Sequence, residues 1–246
     1  MISLEVCANS AASALAAQEG GAARIELCSN LAEGGITSSY GEIFIARKRL
    51  TIPIYVLIRP RAGDFLYSDL EFEVMQADIK ACAELGCDGI VIGLLKQDGM
   101  IDYERCLQLV RLAESHKLGL TFHRAFDVCA DQNRTLEQII DLGFERILTS
   151  GGRNTALEGA EQISTLIRNA GNRISIMPGG GINEENIAEL IRLTGAREYH
   201  ASCRTRVPTK MKNLDINVQL SDLPEDFIEQ TNASRVKNLI NNAAVK

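Results

Sequence analysis

The segment Gly21-Ala22-Ala23-Arg24-Ile25-Glu26-Leu27-Cys28 contains the pattern that decides the fold of this 246-residue chain. A glycine ends a helix, a few residues cross over, and a β-rich run begins. The same layout recurs at residues 86–90, 143–147 and 195–199. Glycine suits this position because it adopts the left-handed conformation at the end of a helix without steric cost. The recurrence predicts a repeating helix-to-strand unit.

Eight β-rich runs are separated by segments with helical spacing. The runs are residues 4–7, 24–28, 54–59, 89–93, 118–123, 146–150, 174–178 and 198–202. One intervening segment predicts a helix whose apolar face comprises Leu70, Val74, Ala77, Ala81 and Leu85. Eight strand–helix units in about 250 residues predict an α/β protein of the (β/α)8 TIM-barrel class. The count of eight favours a closed barrel over an open, doubly wound sheet.

A single barrel domain is expected over residues 1–205, followed by a C-terminal extension over residues 206–246. No linker-like segment divides the first part, and the extension is more polar. A closing helix is predicted near residues 234–243 from the shared face of Val236, Leu239, Ile240 and Ala243. We expect the extension to pack on the barrel or at a subunit interface.

Composition and charge exclude several classes of function. Apolar residues make up 46% and charged residues 24%, which is typical of a globular protein. The formal net charge is −6 and no long basic run occurs, so nucleic acids and anionic membranes are poor partners. No run is apolar for long enough to span a bilayer. The absence of a P-loop and of a strand-linked GxGxxG motif predicts no nucleotide cofactor.

The seven cysteines are scattered and form no paired motif. Such a set predicts reduced thiols and a cytoplasmic location, and no signal peptide is expected.

Side chains alternate along a strand, and the strictly apolar set is expected to face the helices. The polar and charged side chains then predicted to face the barrel axis are Glu5, Cys7, Glu26, Cys28, Arg59, Arg61, Thr121, His123, Glu198, His200 and Ser202. Charges inside a barrel are costly unless they are paired, and barrel sites form where the strands end. We therefore expect a functional site at the barrel mouth. For any single residue, an ion pair or a buried structural histidine stays an alternative.

Glycine-rich loops after the sixth and seventh predicted strands indicate an anion site. Gly151 follows the sixth strand, and Gly179-Gly180-Gly181 follows the seventh and opens a helix. Glycines let backbone N–H groups approach an anion, and a helix N-terminus adds partial positive charge. Arg59, Arg61 and Ser202 complete the predicted anion-binding set. The alternative is that these glycines only form tight turns.

Cys7 and Cys28 end the first two strands and carry soft sulfur donors that suit Cu(I) or zinc. Free cysteines are also commonly buried as small hydrophobic side chains. The residues alone leave both interpretations open.

Several motifs resemble those of one family. They include Ile58-Arg59-Pro60-Arg61-Ala62-Gly63-Asp64-Phe65, Thr121-Phe122-His123-Arg124-Ala125-Phe126-Asp127 and Met177-Pro178-Gly179-Gly180-Gly181. Over the predicted barrel domain the chain resembles the CutC family of copper homeostasis proteins, with Ala62 standing where that family more often has glycine. The resemblance implies a TIM barrel, a cytoplasmic location and homo-oligomers, with a dimer favoured. It also implies Cu(I) bound at Cys7 and Cys28.

The sequence is therefore consistent with two functions. In the first, the protein holds Cu(I) at Cys7 and Cys28. In the second, it is a barrel enzyme that acts on a small phosphorylated or carboxylated metabolite, with Arg59 and Arg61 clamping the anion. The candidate catalytic residues for that reaction are Glu5, Glu26, His123, Arg124 and Asp127.

Overall fold

The computed structural model describes residues 2–212 and 226–244. Its barrel strands are β1 (Ser3–Ala8), β2 (Arg24–Leu27), β3 (Ile54–Leu57), β4 (Gly89–Ile92), β5 (Gly119–Phe122), β6 (Arg146–Thr149), β7 (Ser175–Pro178) and β8 (Glu198–Ala201). All eight runs predicted from the sequence are strands, and their bounds agree within two residues at either end.

The eight strands form one parallel sheet in the order β7-β6-β5-β4-β3-β2-β1-β8. A parallel bridge between Gly179 and His200 joins β7 to β8, the two edge strands. The predicted (β/α)8 TIM barrel is confirmed. Its register pairs Cys7 with Glu26 and Glu5 with His200, so residues far apart in sequence meet inside the barrel.

The helices follow the strands around the barrel. They are α1 (Ala11–Glu19), α2 (Tyr40–Arg49), α3 (Asp69–Glu84), α4 (Tyr103–Ser115), α5 (Gln132–Asp141), α6 (Ala160–Ala170), α7 (Ile187–Thr194) and α8 (Ala233–Ala243). The glycines that precede β2, β4, β6 and β8 all have positive φ angles, as the repeating pattern predicted. No helix within these described parts of the chain is long and apolar enough to cross a membrane.

The apolar face predicted for α3 is wrong. Leu70 and Val74 are 70% and 42% exposed. The α3 side chains that are buried are Phe72, Met75, Ile79 and Cys82. Both sets are spaced by three or four residues, so the spacing identified a helix but not the stripe that packs on the barrel.

The outward side chains of the strands pack against the helices in one large core, as the alternation predicted. A second, smaller apolar cluster lies inside the barrel and contains Cys7, Cys28, Tyr55, Leu57 and Val91. The Tyr55 ring requires glycine at the first residues of β4 and β5. A Cβ atom at Gly89 would lie 2.3 Å from the ring, and one at Gly119 would lie 2.1 Å from its hydroxyl.

Buried charges fill the end of the interior where the strands begin. Arg24 Nε donates to Glu5 Oε2 at 2.5 Å, and Arg24 Nη2 donates to Glu198 Oε2 at 2.8 Å. Arg146 binds the same Glu198 carboxylate at 3.2 Å. Burial opposes ionisation of Glu5, but hydrogen bonding from His200 and the charge of Arg24 outweigh burial and lower its pKa to about 2. Glu5 is therefore an ionised carboxylate with cationic partners.

The C-terminal part adds an antiparallel pair, β9 (Arg204–Pro208) and β10 (Phe227–Thr231), which the sequence did not predict. The predicted closing helix is α8, and its Val236 and Leu239 are buried. Val236 packs so closely on Gly20 at the end of α1 that a Cβ there would lie 2.5 Å from the valine Cβ. β9 crosses the boundary predicted at residue 206, and residues 213–225 of the predicted extension lie outside the described ones.

Arg24→Ala tests the buried network. The substitution leaves the carboxylates of Glu5 and Glu198 without their shared cation, and removing one partner of a buried pair costs roughly 3–5 kcal/mol. We expect the free energy of unfolding to fall by that order, as measured by urea denaturation. Arg173→Ala is the control because Arg173 pairs with Glu137 at the surface, and it should change stability far less. Equal losses in the two variants would contradict the importance of this network.

Candidate functional site

A cavity of about 520 Å³ opens where the barrel strands end. The predicted site residues that line it are Cys7, Glu26, Cys28, Arg59, His123, Arg124, Asp127, Gly180, Gly181 and Ser202. Four others lie away from its wall, namely Glu5, Arg61, Gly151 and Gly179. Most of the predicted set is thus brought together around one space.

Two thiols face this cavity from adjacent strands. Cys7 Sγ lies 3.4 Å from Cys28 Sγ, and Cys28 Sγ lies 3.7 Å from the carbonyl oxygen of Ala8. Cys7 is 5% exposed and Cys28 is fully buried. The hydrogen bond with Cys28 and burial raise the pKa of Cys7 well above its ordinary value. Cys7 is therefore a protonated thiol at neutral pH.

His200 lies beside the thiols and contacts the carboxylates of Glu5 and Glu26. Its Nδ1 lies 2.8 Å from Glu5 Oε1, and its Nε2 lies 3.5 Å from Glu26 Oε2. Burial opposes protonation, but the charge of Glu26 and the hydrogen bond to Glu5 outweigh it and raise the pKa of His200. Burial raises the pKa of Glu26.

Ligand atoms of Cys7, Glu26 and His200 lie within 4.8 Å of one another, close enough to hold one metal ion. The alternation of β8 predicts that His200 lies inside the barrel, but it gives no sign that His200 is a metal ligand. The signal that could have found it is barrel closure, which makes β8 a neighbour of β1.

His123 occupies another part of the cavity wall, just after β5. Its Nδ1 accepts a hydrogen bond from the backbone N–H of Ala125 at 3.1 Å. Its Nε2 is buried and has no hydrogen-bond partner among residues 2–212 and 226–244. Burial and the nearby charge of Arg59 lower the pKa of His123 to about 3. The ring is therefore neutral, carries its proton on Nε2 and presents a hydrogen-bond donor rather than a base.

Arg59 is a buried cation whose side-chain hydrogen bonds within the described ranges go to backbone carbonyls. Its Nη1 donates to the carbonyl oxygens of Glu33 and Gly35 at 3.0 and 2.6 Å, and its Nη2 donates to Gly63 at 2.7 Å. Its Nε is buried without a partner. No carboxylate in the described part of the chain lies within salt-bridge distance of it. Arg59 therefore ties two loops together and leaves its positive charge unbalanced.

The inward orientation expected for Arg61 is wrong. Arg61 Nε donates to Glu71 Oε1 at 2.5 Å, and its Nη2 donates to Asp64 Oδ1 at 2.9 Å, both outside the cavity. β3 ends at Leu57, so the alternation of the strand does not extend to residue 61. Arg61 accordingly does not join Arg59 in facing the cavity.

Asp127 occupies part of the loop that was expected to receive an anion. Its carboxylate accepts hydrogen bonds from the backbone N–H groups of Ser150 at 3.0 Å and Gly152 at 3.1 Å. Arg124 Nε donates to the same carboxylate at 2.7 Å. An internal carboxylate thus takes the position predicted for an external anion, and the charge of Arg124 is balanced within the chain.

The glycines predicted to bind an anion differ in whether their N–H groups are already hydrogen-bonded and in whether they line the cavity. The N–H of Gly151 donates to the Thr149 hydroxyl and the N–H of Gly179 to the Thr149 carbonyl, both at 2.9 Å. Gly180 and Gly181, with φ angles of 105° and 73°, line the cavity. The glycines at residues 151 and 179 therefore serve the turns and the sheet.

We expect His123 to remain neutral between about pH 5 and pH 8, the range in which an ordinary histidine with a pKa near 6.5 changes charge. A pH titration followed by NMR measures this, with His123→Asn assigning the signal and the nitrogen shifts reporting the Nε2–H tautomer. A titration midpoint near 6.5 would contradict the structure.

The lowered pKa of His123 also makes the stability of the fold depend on pH. Below about pH 6.5 the unfolded chain binds a proton at this histidine and the folded chain does not, so acid favours unfolding. Wild type should therefore lose more stability than His123→Asn when the pH falls from 7 to 5.

Comparisons with known proteins bear on the whole barrel. A family model described as the CutC family matches residues 2–205. The chain is 51% identical over 237 residues to a CutC family protein of Xylella fastidiosa, which covers 96% of this chain and 87% of the relative. It is 46% identical over 238 residues to a CutC family protein of Chromobacterium violaceum, with 96% of each chain covered.

Solved structures agree with these relatives. A structure ascribed to the copper homeostasis protein CutC of Streptococcus agalactiae has a TM-score of 0.78 at 40% identity, covering 82% of this chain and 99% of the other. A phosphoribosyl anthranilate isomerase from Thermococcus kodakaraensis has a TM-score of 0.61 at 12% identity over the full length of both chains, which shows the shared barrel fold alone. The chain therefore belongs to the CutC family of copper homeostasis proteins.

Proposed function

We propose that this protein binds Cu(I) through the thiolates of Cys7 and Cys28. The observation that carries the proposal is the pair of sulfurs 3.4 Å apart in the wall of a cavity that opens at the barrel mouth. Thiolates are the donors that Cu(I) prefers. With metal–sulfur bonds of about 2.3 Å, two sulfurs on one ion lie about 3.8–4.6 Å apart. The two sulfurs must therefore move apart by about 0.4–1.2 Å to bind one ion.

Glu26 and His200 support this role from beside the thiols. Imidazole is also a copper ligand, and both residues have a ligand atom within 4.8 Å of that of Cys7. Metal binding requires Cys7 to lose its proton. In our proposal the Glu26 carboxylate passes this proton on to solvent, and His200 supplies a third donor when it is deprotonated.

We further propose that the protein works in the cytoplasm as a homodimer. All seven cysteines are free, although the sulfurs of Cys7 and Cys28 are in contact, and a reducing compartment keeps such a pair available to copper. The exposed apolar side chains of Phe44 on α2 and of Leu70 and Val74 on α3 are candidates for burial in a dimer.

An anaerobic competition titration against a chromogenic Cu(I) chelator tests the copper site. Wild type is expected to bind Cu(I) stoichiometrically, and Cys7→Ala/Cys28→Ala should lose at least about a hundredfold in affinity because both soft donors are removed. The matched control is Cys82→Ala/Cys87→Ala, which removes two buried thiols from the outer core instead. Equal binding by the two double variants would contradict the proposal.

The pH dependence of the same titration checks the state of the thiol. Because the pKa of Cys7 is raised, Cu(I) must displace a proton at neutral pH. Affinity should therefore increase with pH, by about tenfold per unit for each proton released. An affinity independent of pH between 6 and 8 would show that the ligands are already deprotonated.

A further inference from the structure

A second part of the cavity carries binding groups that copper does not need. Arg59 and His123 are each 5% exposed, and each has a buried nitrogen without a hydrogen-bond partner in the described ranges. Both side chains line the cavity that the thiols also face. We propose that Arg59 and His123 form a binding site for the oxyanion group, carboxylate or phosphate, of a small organic molecule.

Charge balance in the cavity wall points to an anionic ligand. Arg124 is paired with Asp127, and Arg204 is paired with Glu229 at 2.5 Å. Arg59 has hydrogen bonds to carbonyls and no carboxylate partner in the part of the chain that the structure describes, and an isolated buried charge is costly. A bound oxyanion would balance it. The Nε and the remaining Nη2 hydrogen of Arg59 are the donors left for such a ligand.

His123 complements Arg59 as a neutral donor. Its Nδ1 is engaged by the backbone, so its proton lies on Nε2, the atom without a partner. A neutral imidazole N–H donates to an oxyanion while adding no further positive charge to the wall. His123 therefore adds a directional hydrogen bond to the ligand, whereas Arg59 adds the positive charge.

Phe65 holds the two donors near each other. Its ring centroid lies 4.9 Å from that of His123 and 5.2 Å from the guanidinium carbon of Arg59. All three residues belong to the two motifs at residues 58–65 and 121–127 that the copper proposal leaves without a role. In the proposed ligand site both motifs have the same role, which is to hold the oxyanion group.

The rest of the wall indicates the size and character of the ligand. The cavity of about 520 Å³ lies within the range of roughly 300–1,000 Å³ that is typical of small-molecule sites. Leu31, Leu57, Leu148 and Ile182 also line it, so the body of the ligand is expected to be partly apolar. A small organic acid or a phosphate ester of a few carbons meets both requirements.

Calorimetric titration of metal-free protein tests the site with two probes, benzoate and inorganic phosphate. We expect saturable binding of at least one probe, and the probe that binds identifies the carboxylate or phosphate class. Arg59→Gln should weaken binding by about tenfold to a hundredfold, since hydrogen bonds to charged groups contribute that much. Arg61→Gln removes the same charge from a guanidinium that faces away from the cavity, so it should bind as wild type does.

His123→Asn provides a second variant if Arg59→Gln does not fold. Asparagine is a favoured N-cap and can still accept the Ala125 N–H, but it loses the Nε2 donor. We expect it to weaken binding about threefold to tenfold. Because the protein is metal-free in this titration, binding of the probe is measured separately from copper binding. The proposal is overturned if neither probe binds wild type, or if Arg59→Gln and His123→Asn both bind as tightly as Arg61→Gln.

Discussion

The ion pair between Arg24 and Glu5 is the interaction on which the interior of this barrel depends. Its cation comes from the start of β2 and its carboxylate from the middle of β1, so it joins the first two strands through their side chains as well as their backbones. The hydrogen bond from His200 and the charge of Arg24 together keep Glu5 ionised. Without these partners, a carboxylate at this depth would favour its neutral form.

A continuous line of polar contacts follows from this pair. Glu198 binds Arg24, Arg24 binds Glu5, Glu5 binds His200, and His200 faces Glu26. Glu26 is the partner of Cys7 in the strand register. The line runs from the end of the barrel where strands begin to the thiols at the mouth. The raised pKa of His200 therefore depends on the carboxylates of Glu26 and Glu5 inside the barrel, whereas the Arg59 and His123 part of the cavity rests on loop carbonyls and Phe65.

Alternation within strands predicted much of this from the sequence, because a period of two is a local property. Glu5, Glu26 and His200 face inward as expected, and the glycine before each even-numbered strand has the expected backbone. The predictions that are wrong concern residues for which the spacing along the sequence does not determine the orientation of the side chain. Arg61 lies four residues beyond the end of β3, and α3 carries two apolar stripes of equal spacing. Contacts between loops, such as that of Asp127 after β5 with the loop after β6, depend on the folded barrel and have no signature in the spacing of residues.

The carboxylate of Asp127, which binds the loop after β6, also bears on selectivity among anions. Since it is tethered to the same short segment as Arg124, it is present at the N–H groups of Ser150 and Gly152 at an effective concentration that a dissolved ion rarely matches. Phosphate from the surroundings would have to compete with an occupant that cannot diffuse away. Asp127 therefore blocks these N–H groups. An external anion is left with the donors that no side chain of the protein already occupies.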